Sequence, residues 1–190
     1  MLKNKATAFI LLLFCCLGLI SSSYAQKPIL CKQRYALCSA AKCIPDPQNK
    51  KLAICHCENF NGYSVGLKSC NARAAKKIGK IKMLTSTFSF RNKMDPVMNC
   101  PKGTYWTNCM DAPCTVDPTD PDKSICSCPI EKSKTKLVTF GGDCRTHTCK
   151  NYFWSGALDA SNSAFQEVLA KKVGLDLKTA ITQCPKKGAK

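Results

Sequence analysis

The sequence predicts a small disulfide-rich protein made of two tandem cysteine modules with short β-hairpins, followed by a C-terminal amphipathic helix. The 190-residue chain contains 16 cysteines, many of which recur at a constant spacing. Its apolar residues are scattered, so disulfides are expected to stabilise the fold, each by about 2–4 kcal/mol. We divide the chain into a signal peptide (1–25), a first module with a basic connector (26–90), a second module (91–160), and a C-terminal helix with a basic tail (161–190).

The N-terminus has the three parts of a signal peptide. Lys3 and Lys5 precede the apolar run 8–20, and small residues lead to Ala25, after which we expect cleavage. The run is shorter than the roughly 20 residues that a membrane-spanning helix needs. Removal of 1–25 leaves 27 Lys and Arg against 12 Asp and Glu, a net charge of +15. We expect a secreted or periplasmic protein, from a bacterial or a eukaryotic source.

An even number of cysteines in an exported chain indicates a disulfide framework. The 14 cysteines of the predicted mature chain are Cys31, Cys38, Cys43, Cys55, Cys57, Cys70, Cys100, Cys109, Cys114, Cys126, Cys128, Cys144, Cys149 and Cys184. Four of the first six coincide with later ones at an offset of 71 residues, in the shared pattern C-x4-C-x2-D-P-x6-I-C-x-C. Residues 84–87 similarly lie over 153–156 at an offset of 69. Each module then has six cysteines whose pairing stays open, and Cys149 is expected to pair with Cys184.

Turn-forming residues at 46–50 and 117–121 precede the strand-like runs 52–57 and 124–129. This order predicts a β-hairpin in each module. In a C-x-C strand both sulfurs lie on one face, because side chains alternate with a period of two. Residues 71–82 are basic and are compatible with either a short helix or a connector.

A C-terminal helix is predicted at about 163–173. Ser163 and Gln166 have the spacing of a capping box, and Gly174 marks the end. Phe165, Val168, Leu169 and Val173 share one face, which we expect to cover the second module.

The cysteine spacing of 31–70 and 100–144 resembles that of epidermal-growth-factor-like domains, with Gly66 and Gly142 before the last cysteines. The resemblance implies that the first cysteine pairs with the third, the second with the fourth, and the fifth with the sixth. The chain also resembles small secreted cysteine-repeat proteins of bacteria in segments such as CPKGTYWTNCMDAPCTVDP. That resemblance implies export and no particular activity.

The residue inventory does not favour catalysis. His56 and His147 are the only histidines, and both lie between cysteines that are expected to form disulfides. No serine has the setting of a hydrolase nucleophile. Neither a C-x2-C zinc pattern nor a C-x-x-C redox motif occurs. We therefore expect no enzyme activity, catalytic residue, metal or other cofactor.

The positive charge is the broadest functional feature, and such a surface attracts anionic partners. The predicted anion-binding surface consists of Arg73, Lys76, Lys77, Lys80, Lys82, Lys132, Lys134 and Lys136. A third basic group comprises Lys171, Lys172, Lys186, Lys187 and Lys190. The alternative is a solvated surface that aids solubility. Aromatic residues at 105–106 and 152–154 are either exposed anchors or core residues.

These features predict a binding or structural protein of the cell envelope or extracellular space, with an anionic envelope component or an acidic protein as partner. Nucleic acid is not expected, since the basic clusters lack interleaved aromatic residues. Peripheral contact with a membrane is compatible with the charge, and the oligomeric state stays open. The alternative is a secreted effector, a protease inhibitor or membrane-active toxin, that presents loop 58–68 or 131–141.

Overall fold

The computed structural model describes residues 27–39, 41–90, 97–140, 153–174 and 176. The predicted signal peptide lies outside these residues, and so do Cys144, Cys149 and Cys184, with the predicted Cys149–Cys184 bond. The described part is mostly β-structure, contains five disulfides between described cysteines, and has a helix near its C-terminal end. The predicted small, disulfide-rich class with a C-terminal helix is confirmed at that level.

The described residues form twelve strands and two helices. The strands are β1 (Ile29–Leu37), β2 (Lys42–Pro45), β3 (Leu52–Gly66), β4 (Lys76–Ile78), β5 (Ile81–Thr87), β6 (Val97–Cys100), β7 (Tyr105–Thr107), β8 (Pro113–Val116), β9 (Lys123–Lys132), β10 (Leu137–Phe140), β11 (Phe153–Trp154) and β12 (Ala157–Leu158). The helices are α1 (Cys70–Arg73) and α2 (Asp159–Val173).

Nine strands form one sheet and three form a smaller one. The large sheet has the order β11-β2-β3-β1-β5-β8-β9-β7, with β4 joined to β5 and an additional pairing of β3 with β9. This last pairing closes a ring of five strands, β3, β1, β5, β8 and β9. The small sheet has the order β12-β10-β6. The ring holds the two cysteine-rich parts of the chain together, because β3 comes from one and β9 from the other.

The same pairings recur along the chain at a constant offset. β1 pairs with β3 in the register Tyr35↔Phe60, and β7 pairs with β9 in the register Trp106↔Glu131, 71 residues later. The pairing of β2 with β3 corresponds to that of β8 with β9 at the same offset. The first residues of the two turns also match, since the backbone N–H of Gln48 and that of Thr119 each donate to an aspartate side chain two positions earlier, both at 2.8 Å.

Strands are also exchanged between the two parts of the chain. β5 pairs with β8 in the register Leu84↔Cys114, and β11 pairs with β2 in the register Phe153↔Cys43. Residues 84 and 153 are the ones that the sequence aligns at an offset of 69. β5 follows the cysteines of the first part and pairs with β8 of the second part. β11 comes from the second part and pairs with β2 of the first part.

The disulfides of the first part are nested. Cys31 bonds Cys70, Cys38 bonds Cys57, and Cys43 bonds Cys55. The first cysteine thus pairs with the sixth, the second with the fifth, and the third with the fourth. The pairing implied by the epidermal-growth-factor resemblance is wrong, because the antiparallel register of β2 and β3 sets residue 43 directly opposite residue 55.

The second part repeats two of these bonds, Cys109–Cys128 and Cys114–Cys126. Their sequence separations, 19 and 12, equal those of the corresponding bonds in the first part. Cys100 is also disulfide-bonded, and its partner lies outside the described residues.

Four disulfides form the centre of the first core cluster. Strands β3 and β9 pair through Cys55↔Cys126, and the side chains of both residues are fully buried. Sulfurs from different bonds touch here: Sγ of Cys38 lies 3.4 Å from Sγ of Cys126, and Sγ of Cys109 lies 3.5 Å from Sγ of Cys55. The cross-links therefore supply packed apolar volume as well as connectivity.

Helix α2 begins four residues before the predicted start. The residue before it, Leu158, has an extended backbone and makes no side-chain cap, while Ser163 donates a hydrogen bond to the carbonyl of Asp159. The predicted capping box is wrong, because Ser163 lies inside the helix. The predicted end holds: the backbone of Gly174 is left-handed, with φ 67°, and its N–H bonds the carbonyl of Ala170.

The predicted apolar face of α2 packs on both parts of the chain. Phe165 and Leu169 are buried in a second core cluster with Val65, Phe88 and Phe140. The ring of Phe88 lies 6.1 Å from that of Phe165. Val173, in contrast, is 43% exposed. Among the described residues, no helix has the length and apolar composition to span a membrane.

Candidate anion-binding surface

The strands β4 and β5 form a short hairpin that presents most of the first predicted basic group. Lys76 lies opposite Met83, Lys77 opposite Lys82, and Ile78 opposite Ile81. The connection is made by Gly79 and Lys80, and the φ of 59° at Gly79 is the left-handed backbone that glycine adopts at little cost. The segment described as either a short helix or a connector thus contains the four-residue helix α1 and then this hairpin.

The four lysines of the hairpin, at positions 76, 77, 80 and 82, are exposed. None forms an ion pair with a described residue. Lys77 and Lys82 stand directly opposite each other, an arrangement of like charges that destabilises a strand pair. In the sequence, residues 59–94 contain eight Lys and Arg and no Asp or Glu. This run of one sign is the signal that distinguishes the hairpin from the other basic groups.

The base of the hairpin is fixed to the disulfide-rich core. Beyond Met83, the side chain of Leu84 is buried in the first core cluster, opposite Cys114. Further along β5, Ser86 pairs with Ala36 of β1, and its backbone N–H donates to the carbonyl of Ala112. The lysines therefore extend from a strand whose C-terminal half is held on two sides.

Arg73 was predicted to belong to the anion-binding surface, but its side chain is fully buried. Its Nη2 donates to the carbonyl of Ile29 at 2.8 Å, and its Nε lies 3.9 Å from Oδ1 of Asp111. Burial lowers the pKa of Arg73, and the charge of Asp111 counteracts this effect. Arg73 therefore supports the fold and does not contribute to the exposed surface.

Asp111 completes this buried polar centre. Its Oδ2 accepts hydrogen bonds from the backbone N–H groups of Leu67 and Lys68, at 2.7 and 2.8 Å. Gly66 packs against the pair: an added Cβ there would lie 2.6 Å from Nη1 of Arg73. The centre joins the end of β3 to the segment before β8, next to the root of the lysine hairpin.

The second predicted basic group lies at the end of β9 and the start of β10. Lys132, Lys134 and Lys136 are exposed, and Nζ of Lys132 lies 5.7 Å from the ring centre of Tyr105. The surroundings are mixed in charge, since Glu131 is next to Lys132 in the chain and is half-buried. In the order of the sheet this group is separated from the hairpin by β8.

The third basic group is only partly described. Lys171 and Lys172 are exposed in the last turn of α2, where a positive charge interacts favourably with the helix dipole. Nζ of Lys172 lies 5.2 Å from the ring centre of Tyr63, and Nζ of Lys32 lies 5.7 Å from it. The other three lysines of this group, at 186, 187 and 190, lie outside the described residues.

The aromatic candidates divide between core and surface. Trp106 and Trp154 are both 3% exposed and belong to the third core cluster, and Phe153 is half-buried. Tyr105 is 56% exposed, and Tyr152 lies outside the described residues. Both tryptophans thus have a packing role, and Tyr105 is the exposed aromatic among the described candidates.

The histidines and cysteines considered for catalysis or metal binding have the following positions. His56 is exposed on β3 opposite Ile125, and His147 lies outside the described residues. All eleven described cysteines are disulfide-bonded. The sulfurs form two groups of three, and within each group they lie no more than 4.8 Å apart. The groups are Cys38, Cys57 and Cys126, and Cys43, Cys55 and Cys109. These sulfurs would have to be reduced before they could bind a metal as thiolates.

The segments proposed as presenting loops of an effector are largely strands. Residues 58–66 belong to β3 and pair with β1 along their whole length. Residues 131–132 belong to β9 and 137–140 to β10. The description of 58–68 as an exposed loop is therefore wrong for most of its length, because the β3 strand continues well beyond the C-x-C element.

Comparison with protein-family models, with curated proteins and with solved structures finds no match for this chain.

Proposed function

We propose that the protein is an exported, non-enzymatic binding protein that uses the β4–β5 hairpin to hold an anionic component of the cell envelope or the extracellular space. The observation that carries this proposal is the set of four exposed lysines on the hairpin, none of which forms an ion pair with a described residue. An anionic partner would relieve the repulsion between Lys77 and Lys82, which face each other across the two strands.

The disulfide core supports a binding role because it orders the hairpin in advance. β5 continues from the hairpin into the buried residue Leu84, which packs among disulfide-bonded cysteines. A surface that is already ordered loses less conformational entropy on binding than a flexible tail does. Five described disulfides are also typical of a protein from an oxidising compartment, which supports export.

The proposal that the protein is not an enzyme rests on its candidate nucleophiles and bases. A cysteine acts as a nucleophile through its thiolate, and the eleven described cysteines are disulfide-bonded. The side chain of His56 is exposed, and its cross-strand neighbour Ile125 offers no group for proton transfer.

We further propose that the two cysteine-rich parts are copies of one module that exchange a strand. The recurrence of registers at an offset of 71 and the exchange of β5 and β11 both support this relation. The pairing Cys55↔Cys126 joins equivalent residues, so the two copies face each other around the centre of the β3–β9 pair. The modules thus provide the scaffold, and the hairpin provides the surface.

The test compares two triple substitutions that remove equal charge. Lys77, Lys80 and Lys82 are changed to Gln in one variant, and Lys132, Lys134 and Lys136 are changed to Gln in the matched control. Binding of the oxidised full chain to heparin and to anionic phospholipid vesicles is measured at low salt and at about 0.15 M, where the Debye length is about 8 Å.

The hairpin variant is expected to lose most of its binding at about 0.15 M salt, while the control retains it. Equal losses in the two variants would contradict the proposal, because they would show that only the net charge matters. An unmodified chain that binds neither matrix at low salt would contradict it as well. Near-ultraviolet circular dichroism of both variants checks that the fold is unchanged.

The effector alternative receives less support. Its proposed presenting segments lie mainly in paired strands, whereas inhibitory loops must be accessible as extended, unpaired backbone.

A further inference from the structure

The tip of the lysine hairpin carries two exposed isoleucines. Ile78 is 62% exposed and Ile81 is 52% exposed, and the two residues face each other at the last pair before the turn. About half or more of each side chain therefore stays exposed to water, and packing within the described residues does not cover it. The position of the two isoleucines is explained if an apolar partner covers their side chains.

The two sides of the hairpin differ in character. Because side chains alternate along a strand, Ile78 and Ile81 project to one side together with the pair Lys76 and Met83, and Lys77 and Lys82 project to the other. Lys80 lies in the turn between them. The tip thus combines an apolar side with lysines whose aliphatic stems can lie against apolar surface while their ammonium groups stay in water.

The apolar side continues into a cleft at the root of the hairpin. The cleft has a volume of about 310 Å³, and its lining includes Ala72, Ala74, Ile78, Met83 and Pro113. Its polar lining consists of Lys68, Lys76, Thr85 and Asp111. An apolar strip with lysines at its edges therefore extends from the tip toward the core.

This combination fits the interface of an anionic bilayer better than other anionic partners. Apolar side chains can enter the acyl boundary while lysines stay among the headgroups. All the cations of the hairpin are lysines, which act as compact point charges and suit a diffuse negative surface, whereas discrete phosphates and carboxylates are usually held by arginine in a bidentate manner. A glycan site would normally offer aromatic or hydrogen-bonding side chains, and residues 76–83 include no aromatic residue.

We infer that the β4–β5 hairpin is a membrane-docking element that inserts Ile78 and Ile81 into the outer acyl region of an anionic lipid bilayer, with Lys77, Lys80 and Lys82 at the headgroups. This inference rests on the proposed function and names its partner. The lysines attract the protein to the bilayer, and the isoleucines make the contact less sensitive to salt.

The experiment uses the oxidised full chain and vesicles of phosphatidylcholine with or without phosphatidylglycerol. Ile78→Ser/Ile81→Ser is compared with Ile44→Ser/Ile125→Ser, which changes two isoleucines of similar exposure on β2 and β9. The hairpin variant is expected to bind phosphatidylglycerol vesicles about ten-fold or more weakly, since membrane affinity follows the apolar area buried. The control variant is expected to bind as the unmodified chain does, and both variants should bind heparin normally.

A second variant tests insertion directly. In Ile78→Trp, the new indole should be quenched by lipids brominated on their acyl chains, while Trp106 and Trp154, both 3% exposed, provide a constant background. Absence of quenching, or equal vesicle binding by the two serine variants, would overturn the inference. If heparin binding still depends on the hairpin lysines in that case, the proposed function stands and the bilayer is the wrong partner. If the lysines do not matter for either ligand, both proposals fail.

Discussion

Replacement of Asp111 by Asn should destabilise the protein far more than removal of an exposed charge. The side chain of Asp111 is 5% exposed, and that of its charge partner Arg73 is fully buried. Asn has nearly the same shape, and it tolerates the left-handed backbone at this position, where φ is 55°. The substitution thus removes one charge from the buried centre without straining the backbone or leaving a large cavity.

The expected cost follows from the contacts of Asp111. Two backbone hydrogen bonds, from Leu67 and Lys68, change from charged to neutral acceptors, and each should lose about 1 kcal/mol. Arg73 is left buried without its counter-charge. Loss of one partner from a buried ion pair typically costs about 3–5 kcal/mol in total. That is a large fraction of the roughly 5–15 kcal/mol that stabilises a typical domain.

The assay is guanidinium unfolding of the oxidised protein, followed by circular dichroism. Asp122→Asn provides the control, because Asp122 pairs with Arg34 at 3.8 Å and its side chain is 87% exposed. An exposed ion pair of this kind contributes about 0–1 kcal/mol. If Asp111→Asn unfolds within about 1 kcal/mol of Asp122→Asn, the buried centre is relaxed or hydrated and the reasoning is refuted.

Three further outcomes are expected. Leu169→Ala should lower the free energy of unfolding by about 2–5 kcal/mol, because it opens a cavity in the second core cluster. Val173→Ala, at an exposed position, should change the free energy of unfolding by about 0.5 kcal/mol or less in the same assay. Hydrogen bonds from Thr119 lower the pKa of Asp117 from its ordinary value of 3.8. The contribution of Asp117 to stability is therefore present above the ordinary pKa and is lost as the pH falls through the lower pKa of the folded state. Thr119→Val should raise the pKa of Asp117 in an NMR titration, and an unchanged pKa would contradict the assignment of the hydrogen bond. Fragments 26–90 and 91–190, co-expressed in an oxidising compartment, should co-elute as one complex in size-exclusion chromatography, because the β3–β9 and β5–β8 pairings join them. Fragments that elute separately would show that these pairings do not hold the two parts together.

The spacing of the cysteines in the sequence anticipates the recurrence of bonds but not their pairing. Residues 38, 43, 55 and 57 correspond to 109, 114, 126 and 128, and the same two bonds form in each set. The pairing depends on strand register, which places Cys43 opposite Cys55, and spacing alone does not encode that register. A resemblance in spacing to another disulfide-rich family therefore gave the wrong bonds.

Other errors arise where a distant residue decides the outcome. Arg73 looks like the neighbouring lysines in the sequence, and only the approach of Asp111 from a later segment accounts for its burial. The start of α2 is similar. Ser163 has the sequence of a cap, but the helix begins at Asp159, directly after Leu158, which pairs with the distant residue Leu137 of β10. Local signals succeed at Gly174, where the helix ends at a residue whose own backbone preference decides the matter.

The difference between the two proposed copies explains where function should reside. At the offset of 69 that aligns residues 84–87 with 153–156, Lys77 and Lys82 correspond to Thr146 and Asn151, and Ile78 corresponds to His147. The repeated cysteines build the scaffold twice, whereas the lysine and isoleucine pattern of the hairpin occurs once in the sequence. A feature that the scaffold required would be expected in both copies. The hairpin is therefore the part of the molecule whose residues are best explained by a partner.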